Sequence, residues 1–230
     1  MSSLGGTPRT RPGRALLLVL LGVTLAVTSG VVACQSAPAA DFGTPPASSA
    51  SAPGPTVGVP GPTAGVPIQD GALPRGSAAD EAPTRLRIPA LDLDATVDAV
   101  GIDPATGDFA VPPSVDQVGW YRYGPGFAAD AGSIVIAGHV DSAAEGKGAF
   151  FRLGALEAGD AMTLTGPDGQ VRAFEVVARE RYRKVAIPLD KYFARDGAVR
   201  LTLITCGGPF DPKTRHYRDN VVVTAAVRPA

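Results

Sequence analysis

The sequence predicts an all-β domain, a closed barrel or a sandwich, occupying residues 85–230. Three observations lead there. Short apolar runs of four to nine residues recur along this span, rich in Val, Ile, Leu and Thr. Gly and Pro separate them. Two of the runs, Ser133–Ala137 and Val199–Thr205, are apolar on both faces, as expected of strands buried on two sides. Many short strands with Gly/Pro turns are the pattern of a barrel or sandwich.

In chain order, residues 1–14 carry Arg9, Arg11 and Arg14 and no acid, and the next 19 residues, 15–33, carry no charge. A basic start before such a run reads as a signal peptide or a single membrane-spanning helix, and 19 uncharged, mostly apolar residues just reach spanning length. The Arg cluster would stay cytoplasmic and place everything after it outside. Val31-Val32-Ala33-Cys34 resembles a loose bacterial lipobox with Val in the usual Leu position. A lipid anchor at Cys34, an uncleaved anchor and a cleaved signal all remain open. Residues 1–34 are thus a signal or anchor.

Residues 35–84 hold 10 Pro with much Ala, Ser, Gly and Thr, and Phe42 is their one aromatic. Gly54–Pro60 (GPTVGVP) and Gly61–Pro67 (GPTAGVP) repeat in tandem. Proline at this density interrupts helices and sheet ladders, and there is little apolar surface to offset chain entropy. A disordered linker is expected, with a fully extended reach of up to roughly 150 Å at about 3.1 Å per residue.

The domain begins with candidate strands Arg85–Ile88 and Ala95–Val100. Asp103–Gly107 reads as a loop. After Ser133–Ala137, Phe150–Leu156 reads as a helical turn. Ala161–Thr165 and Val171–Arg179 flank Pro167-Asp168-Gly169, a hairpin signal. Arg179, Arg181 and Arg183 alternate and would share one face of a solvated edge strand. Val199–Thr205 and Asn220–Val227 complete the set, with Pro209–Thr214 expected as a loop.

Composition narrows the function. The 21 basic and 22 acidic residues give a net charge of −1, without the basic excess a nucleic-acid binder needs. Two Cys and two His exclude a disulfide-dense scaffold, a four-Cys zinc site and a His-rich metal centre. Few side chains are left for chemistry. Cys206 ends one apolar run, His139 follows another, and Arg218 stands just before Val221-Val222-Val223. A thiolate is a nucleophile. A neighbouring His or Arg lowers the thiol pKa or takes its proton, His can protonate a leaving amine, and a fixed guanidinium can stabilise an oxyanion. On the residues alone, a buried structural thiol, a hydrogen-bonded surface His and a solvated Arg are the commoner arrangements.

The ordered motifs resemble the sortase family, membrane-attached cysteine transpeptidases of Gram-positive bacteria. Thr202-Leu203-Ile204-Thr205-Cys206 matches the family's TLxTC, Gly138-His139 with Asp141 matches its His segment, and Arg218 before a Val-rich last strand matches its Arg. Val118–Tyr121, Ala137–Asp141, Cys206–Asp211 and Tyr217–Val223 together resemble the class F, actinobacterial-type branch. The resemblance covers nearly all of 85–230. It implies an eight-stranded β-barrel and no cofactor; some members of the family bind calcium, but the sequence has no tight acidic cluster and no metal is expected. It implies Cys206 as nucleophile, His139 as general acid and Arg218 as substrate or oxyanion ligand. Thr205, Gly207 and Asp141 would support them: Gly207 and Gly208 let the backbone approach substrate, and Asp141 either orients His139 or is a turn residue. Arg215 and His216, in the loop before Arg218, are expected at the rim. Implied partners are a secreted protein with a C-terminal LPxTG-like motif, an amine acceptor such as a cell-wall precursor, and the membrane. Water as acceptor would make a hydrolase. The alternative is a non-catalytic, membrane-tethered β-barrel binding module. A papain-like peptidase fits poorly because His139 precedes Cys206 by 67 positions.

Overall fold

The strand Ser133–Gly138 is buried along its whole length, and it lies parallel to the strand carrying Cys206 at the centre of the structure. The computed structural model describes residues 40–46, 81–104 and 109–229. The 15–33 run, Cys34, the tandem repeat and most of the linker lie outside them. Among the described residues no helix is long and apolar enough to cross a membrane.

Among the described residues there are ten strands: β1 Arg85–Ile88, β2 Leu93–Val100, β3 Val118–Tyr121, β4 Ser133–Gly138, β5 Asp141–Ser142, β6 Gly146–Lys147, β7 Ala161–Thr165, β8 Val171–Arg183, β9 Arg200–Asp211 and β10 His216–Val227. Eight close into a barrel in the order β1-β2-β3-β4-β9-β10-β8-β7, and β5 and β6 form a separate two-stranded ribbon. The barrel, expected from turn-separated short runs, is therefore the architecture, and the sandwich is not. The β2–β3 and β4–β9 pairs are parallel, the others antiparallel.

Alternation along the strands sorts the faces. Ile134, Ile136, Leu201, Leu203, Val221 and Val223 point into the core with Trp120, Phe150 and Phe174. Val135, Thr202, Val222 and Thr224 are buried on the opposite, outer face. Part of their cover is the β8–β9 connection, which holds the short helix α1, Leu189–Tyr192. Ser133 N donates to Ala194 O at 2.9 Å. The buried Arg200 guanidinium donates to the carbonyls of Lys191, Asp196 and Ala198, and burial draws its pKa below the usual arginine range.

Three expectations are corrected. Half of the loop expected at Pro209–Thr214 is strand, Pro209–Asp211, and only 212–214 lie in the turn. β9 runs on to Asp211 and pairs with β10, with a register shift between Tyr217 and Asp219. The sequence hid this because Gly207-Gly208-Pro209 has turn composition, whereas the structure absorbs Gly208 and Pro209 as an irregularity in the ladder. Arg179 is not on a solvated face: it is 5 % exposed, donates to Leu156 O and, at 2.7 Å, to Ala40 O, and its guanidinium lies 4.7 Å from the Phe42 ring centre. Finally, residues 40–46 and 81–84 of the expected linker are packed on the barrel. Phe42 N and O pair with Arg179 O and N at 3.0 and 2.9 Å, filling the edge of β8 beyond its pairing with β7. Thr84 N donates to Thr165 O at 2.8 Å. A free strand edge supplies unpaired backbone groups, and one aromatic plus an arginine stack suffice to hold a Pro-rich segment there.

Candidate active site

Strand order gathers the chemistry. β9 is flanked by β4 on one side and β10 on the other. In the parallel β4–β9 ladder Ala137 pairs with Ile204, and Thr205 Oγ1 donates to Gly138 O at 2.7 Å. His139, the next residue, therefore follows the end of β4 on the side of Cys206, one strand over. Across the other edge Cys206 pairs with Asn220, and Asn220 in turn with Tyr182 of β8. Arg218 lies two residues before Asn220, in the register shift. His139, Cys206 and Arg218 thus lie toward the same end of three adjacent strands, with Arg218 two residues off the Cys206–Asn220 pair. By alternation Cys206 shares the outer face with Thr202 and Ile204, and it is half-buried and in no disulfide.

The imidazole and guanidinium each have a partner. His139 Nε2 is 2.9 Å from Pro112 O. A carbonyl only accepts, so Nε2 carries the hydrogen and Nδ1 is the nitrogen free to gain or lose a proton. The His139 segment is fixed by its backbone: Phe150 N donates to His139 O at 3.0 Å and Gly148 N to Val140 O at 2.9 Å. Arg218 is 53 % exposed and donates from Nη2 to Asp211 Oδ2 at 3.2 Å. The backbone N–H of Lys213 leads in holding the Asp211 carboxyl below its usual range; burial opposes, and the Arg218 hydrogen bond helps.

The supporting residues find different work from that expected. Asp141 accepts a hydrogen bond from Tyr217 Oη, while His139 Nε2 is engaged by Pro112. At Gly207 a Cβ would meet Val221 Cγ2 at 2.8 Å, so packing against β10 already requires glycine there. Gly208 has φ +71° and lies against the Asp219 carboxylate, where a Cβ would be 2.1 Å from Oδ2. Arg215 adopts φ +57° in the exposed hairpin turn, its N–H donating to Asp211 O at 2.8 Å. His216 opens β10, exposed, opposite Asp211. Neither Arg215 nor His216 lies level with Cys206.

Sequence reasoning missed a polar cluster on the outer face of β8. Glu180 accepts from Lys191 Nζ at 2.9 Å, Tyr192 Oη at 2.7 Å and Tyr182 Oη at 2.8 Å. Burial opposes the Glu180 charge, and the hydrogen bonds from Tyr192, Lys191 and Tyr182 outweigh it, holding the carboxyl below its usual range. Glu180 and Tyr182 alternate with arginines, which was the one available signal. Among the described residues no group of three or more His, Cys, Asp or Glu could hold a metal ion.

A sortase domain family profile matches residues 86–228. No curated protein matches the sequence. Among solved structures, the chain is similar to a lid mutant of sortase A from Corynebacterium diphtheriae, at 21 % identity over 64 % of this chain and 69 % of that one, TM-score 0.48. It is also similar to sortase C-1 from Actinomyces oris, at 19 % identity, 64 % and 73 % coverage and TM-score 0.49. A pilus-related sortase C of Group B Streptococcus matches at 14 % identity, 66 % and 69 % coverage and TM-score 0.49. With 143 of 230 residues matched by the family profile, this chain belongs to the sortase family of transpeptidases.

Proposed function

We propose that the protein is an extracytoplasmic cysteine transpeptidase of the class F branch, acting on an LPxTG-like motif near the C-terminus of secreted proteins. The observation that carries this reading is that His139, Cys206 and Arg218 lie toward the same end of three neighbouring strands, with the thiol half-exposed on the outer face. The motif set around the three residues supports the class, and the basic, then uncharged, N-terminal run supports attachment to a membrane with the domain outside.

In the reaction the Cys206 thiol gives its proton to His139 Nδ1, and the thiolate attacks the carbonyl carbon of the Thr–Gly bond. A C–S bond forms and the carbonyl electron pair moves to oxygen. Arg218, on an exposed stem, turns from Asp211 toward that oxygen or the substrate backbone. Collapse breaks the C–N bond, and His139 delivers its Nδ1 proton to the departing amine. The thioacyl enzyme then meets a second amine, such as a cell-wall precursor. That amine gives its proton back to His139, forms the new amide and releases the thiolate. Water in place of the amine gives hydrolysis.

The full chain in detergent, incubated with an LPxTG peptide with and without a glycine-type amine, tests this by mass spectrometry. The expected result is a Cys206-linked acyl adduct that the amine converts to a ligated peptide. A thiol that alkylates readily but never acylates would overturn the enzyme reading in favour of a binding module.

A further inference from the structure

The hydrogen bond from Tyr217 to Asp141 takes an unusual path. Asp141 opens β5, three residues past the end of β4, and Tyr217 is the second residue of β10. β9 lies between β4 and β10 in the barrel. The two side chains therefore meet by reaching over β9, across about two strand spacings, roughly 9.5 Å. The strip of β9 beneath them lies between Cys206 and Phe210. Tyr217 pairs with Phe210, its ring edge-on at 5.2 Å, and Asp219 pairs with Gly207. The phenol is pushed up to about 12, first by its hydrogen bond to Asp141, then by burial and the Asp141 charge, and in addition by the charge of the Cys206 sulfur.

We propose that Tyr217 and Asp141 form a clasp over β9 that positions the His139 segment against the Cys206 strand and shields the nucleophile from the Asp141 carboxylate. Both are positioning residues, and the proposal rests on Cys206 being the nucleophile. The clasp completes the fixing of the His139 segment. Phe150 and Gly148 hold its backbone on one side, and Tyr217 holds Asp141, two residues beyond His139, on the other. It also has an electrostatic side. A carboxylate near a thiol opposes thiolate formation, and the Tyr217 O–H takes up part of that negative charge.

The two halves of the clasp therefore have opposite electrostatic signatures. Tyr217→Phe keeps the ring against Phe210 but leaves the carboxylate bare, so the thiol should ionise at higher pH. Asp141→Asn removes the charge, so the thiol should ionise at lower pH. The other charged groups around the site are His139 at the end of β4, Lys147 opposite Asp141 on β6, Arg218 with Asp211, and Asp219 with Arg183. All are unchanged in both variants.

The test is the pH dependence of Cys206 alkylation by iodoacetamide in the full chain, read on the Cys206 peptide by mass spectrometry, beside turnover of the sorting peptide. Midpoints displaced in opposite directions support the clasp. So does a loss of kcat/KM on the order of tenfold in each variant, with no further loss in the double variant. Midpoints that move together, or not at all, overturn it, because a merely structural role predicts no opposition of sign. If the parent protein turns over no peptide but the midpoints diverge, the clasp stands and the transpeptidase reading falls.

Discussion

Thr205→Val removes one hydroxyl and nearly nothing else. Thr205 is 5 % exposed, and its Oγ1 donates to Gly138 O at 2.7 Å, the last polar link between β9 and β4 before His139. Valine keeps the shape and deletes the donor. Removing one partner of a buried hydrogen bond costs about 1–3 kcal/mol. For a domain of this size each kcal/mol lowers Tm by about 2–4 °C, so a fall of roughly 2–12 °C is expected in thermal unfolding followed by circular dichroism. The functional consequence follows from the chain: Gly138 precedes His139, and a misplacement of about 1 Å at a catalytic group can cost up to 10²-fold. The kcat/KM for peptide should therefore drop at least severalfold. Thr205→Ser separates the causes, since it restores the donor and gives up a methyl worth about 0.8 kcal/mol. Serine should recover activity while remaining somewhat destabilised. A valine variant with parental Tm and turnover, or a serine variant as inactive as valine, would refute the link between Thr205 and His139.

Cys206→Ala should abolish the thioacyl adduct with the fold intact, and His139→Ala and Arg218→Ala should each lower kcat/KM on the order of 10²-fold or more. Arg215→Ala should leave peptide turnover nearly unchanged, because that side chain belongs to the exposed turn. Glu180, whose folded carboxyl lies below its usual range, contributes stability that is present above the unfolded carboxylate pKa and lost as pH falls through the folded value. Denaturant titrations from neutral to acid pH should therefore show a steep acid arm that Glu180→Gln flattens. Phe42→Ala, which strips the ring from the buried Arg179, should cost about 1–3 kcal/mol in urea unfolding. A protein beginning at Arg85 should be less stable than the full chain for the same reason, and equal stability would remove residues 40–46 from the working domain.

Much of the fold was legible because its strands declare themselves. Arg85–Ile88 and Ala161–Thr165 match their predicted bounds, and Ser133–Ala137 falls one residue short of β4. Apolar runs stopped by glycine leave little else for those residues to do. β3 escaped as a strand because four residues, Val118–Tyr121, containing a glycine, are too short for periodicity to speak. The ends of β9 and β10 escaped because Gly207-Gly208-Pro209 imitates a turn, and only cross-strand pairing reveals that the ladder continues past it. Arg179 misled for a related reason: alternation assigns side chains to a face, but what covers that face came from a segment more than 130 residues earlier.

The candidate site divides in the same way. A lone Cys, one His after a buried run and an Arg before a Val-rich strand could be named from the sequence, because so few other side chains can do nucleophilic chemistry. Their convergence could not. It depends on β4 lying parallel to β9 and on β10 returning along the opposite edge, choices made by the closure of the barrel rather than by any local run. Asp141 makes the distinction plain. Its position two residues after His139 suggested a partner for the imidazole, whereas the structure gives its carboxylate to Tyr217, 76 residues away. Local composition determines which residues form strands and which can react. Which of them face one another is a property of long-range pairing, and only the folded chain decides it.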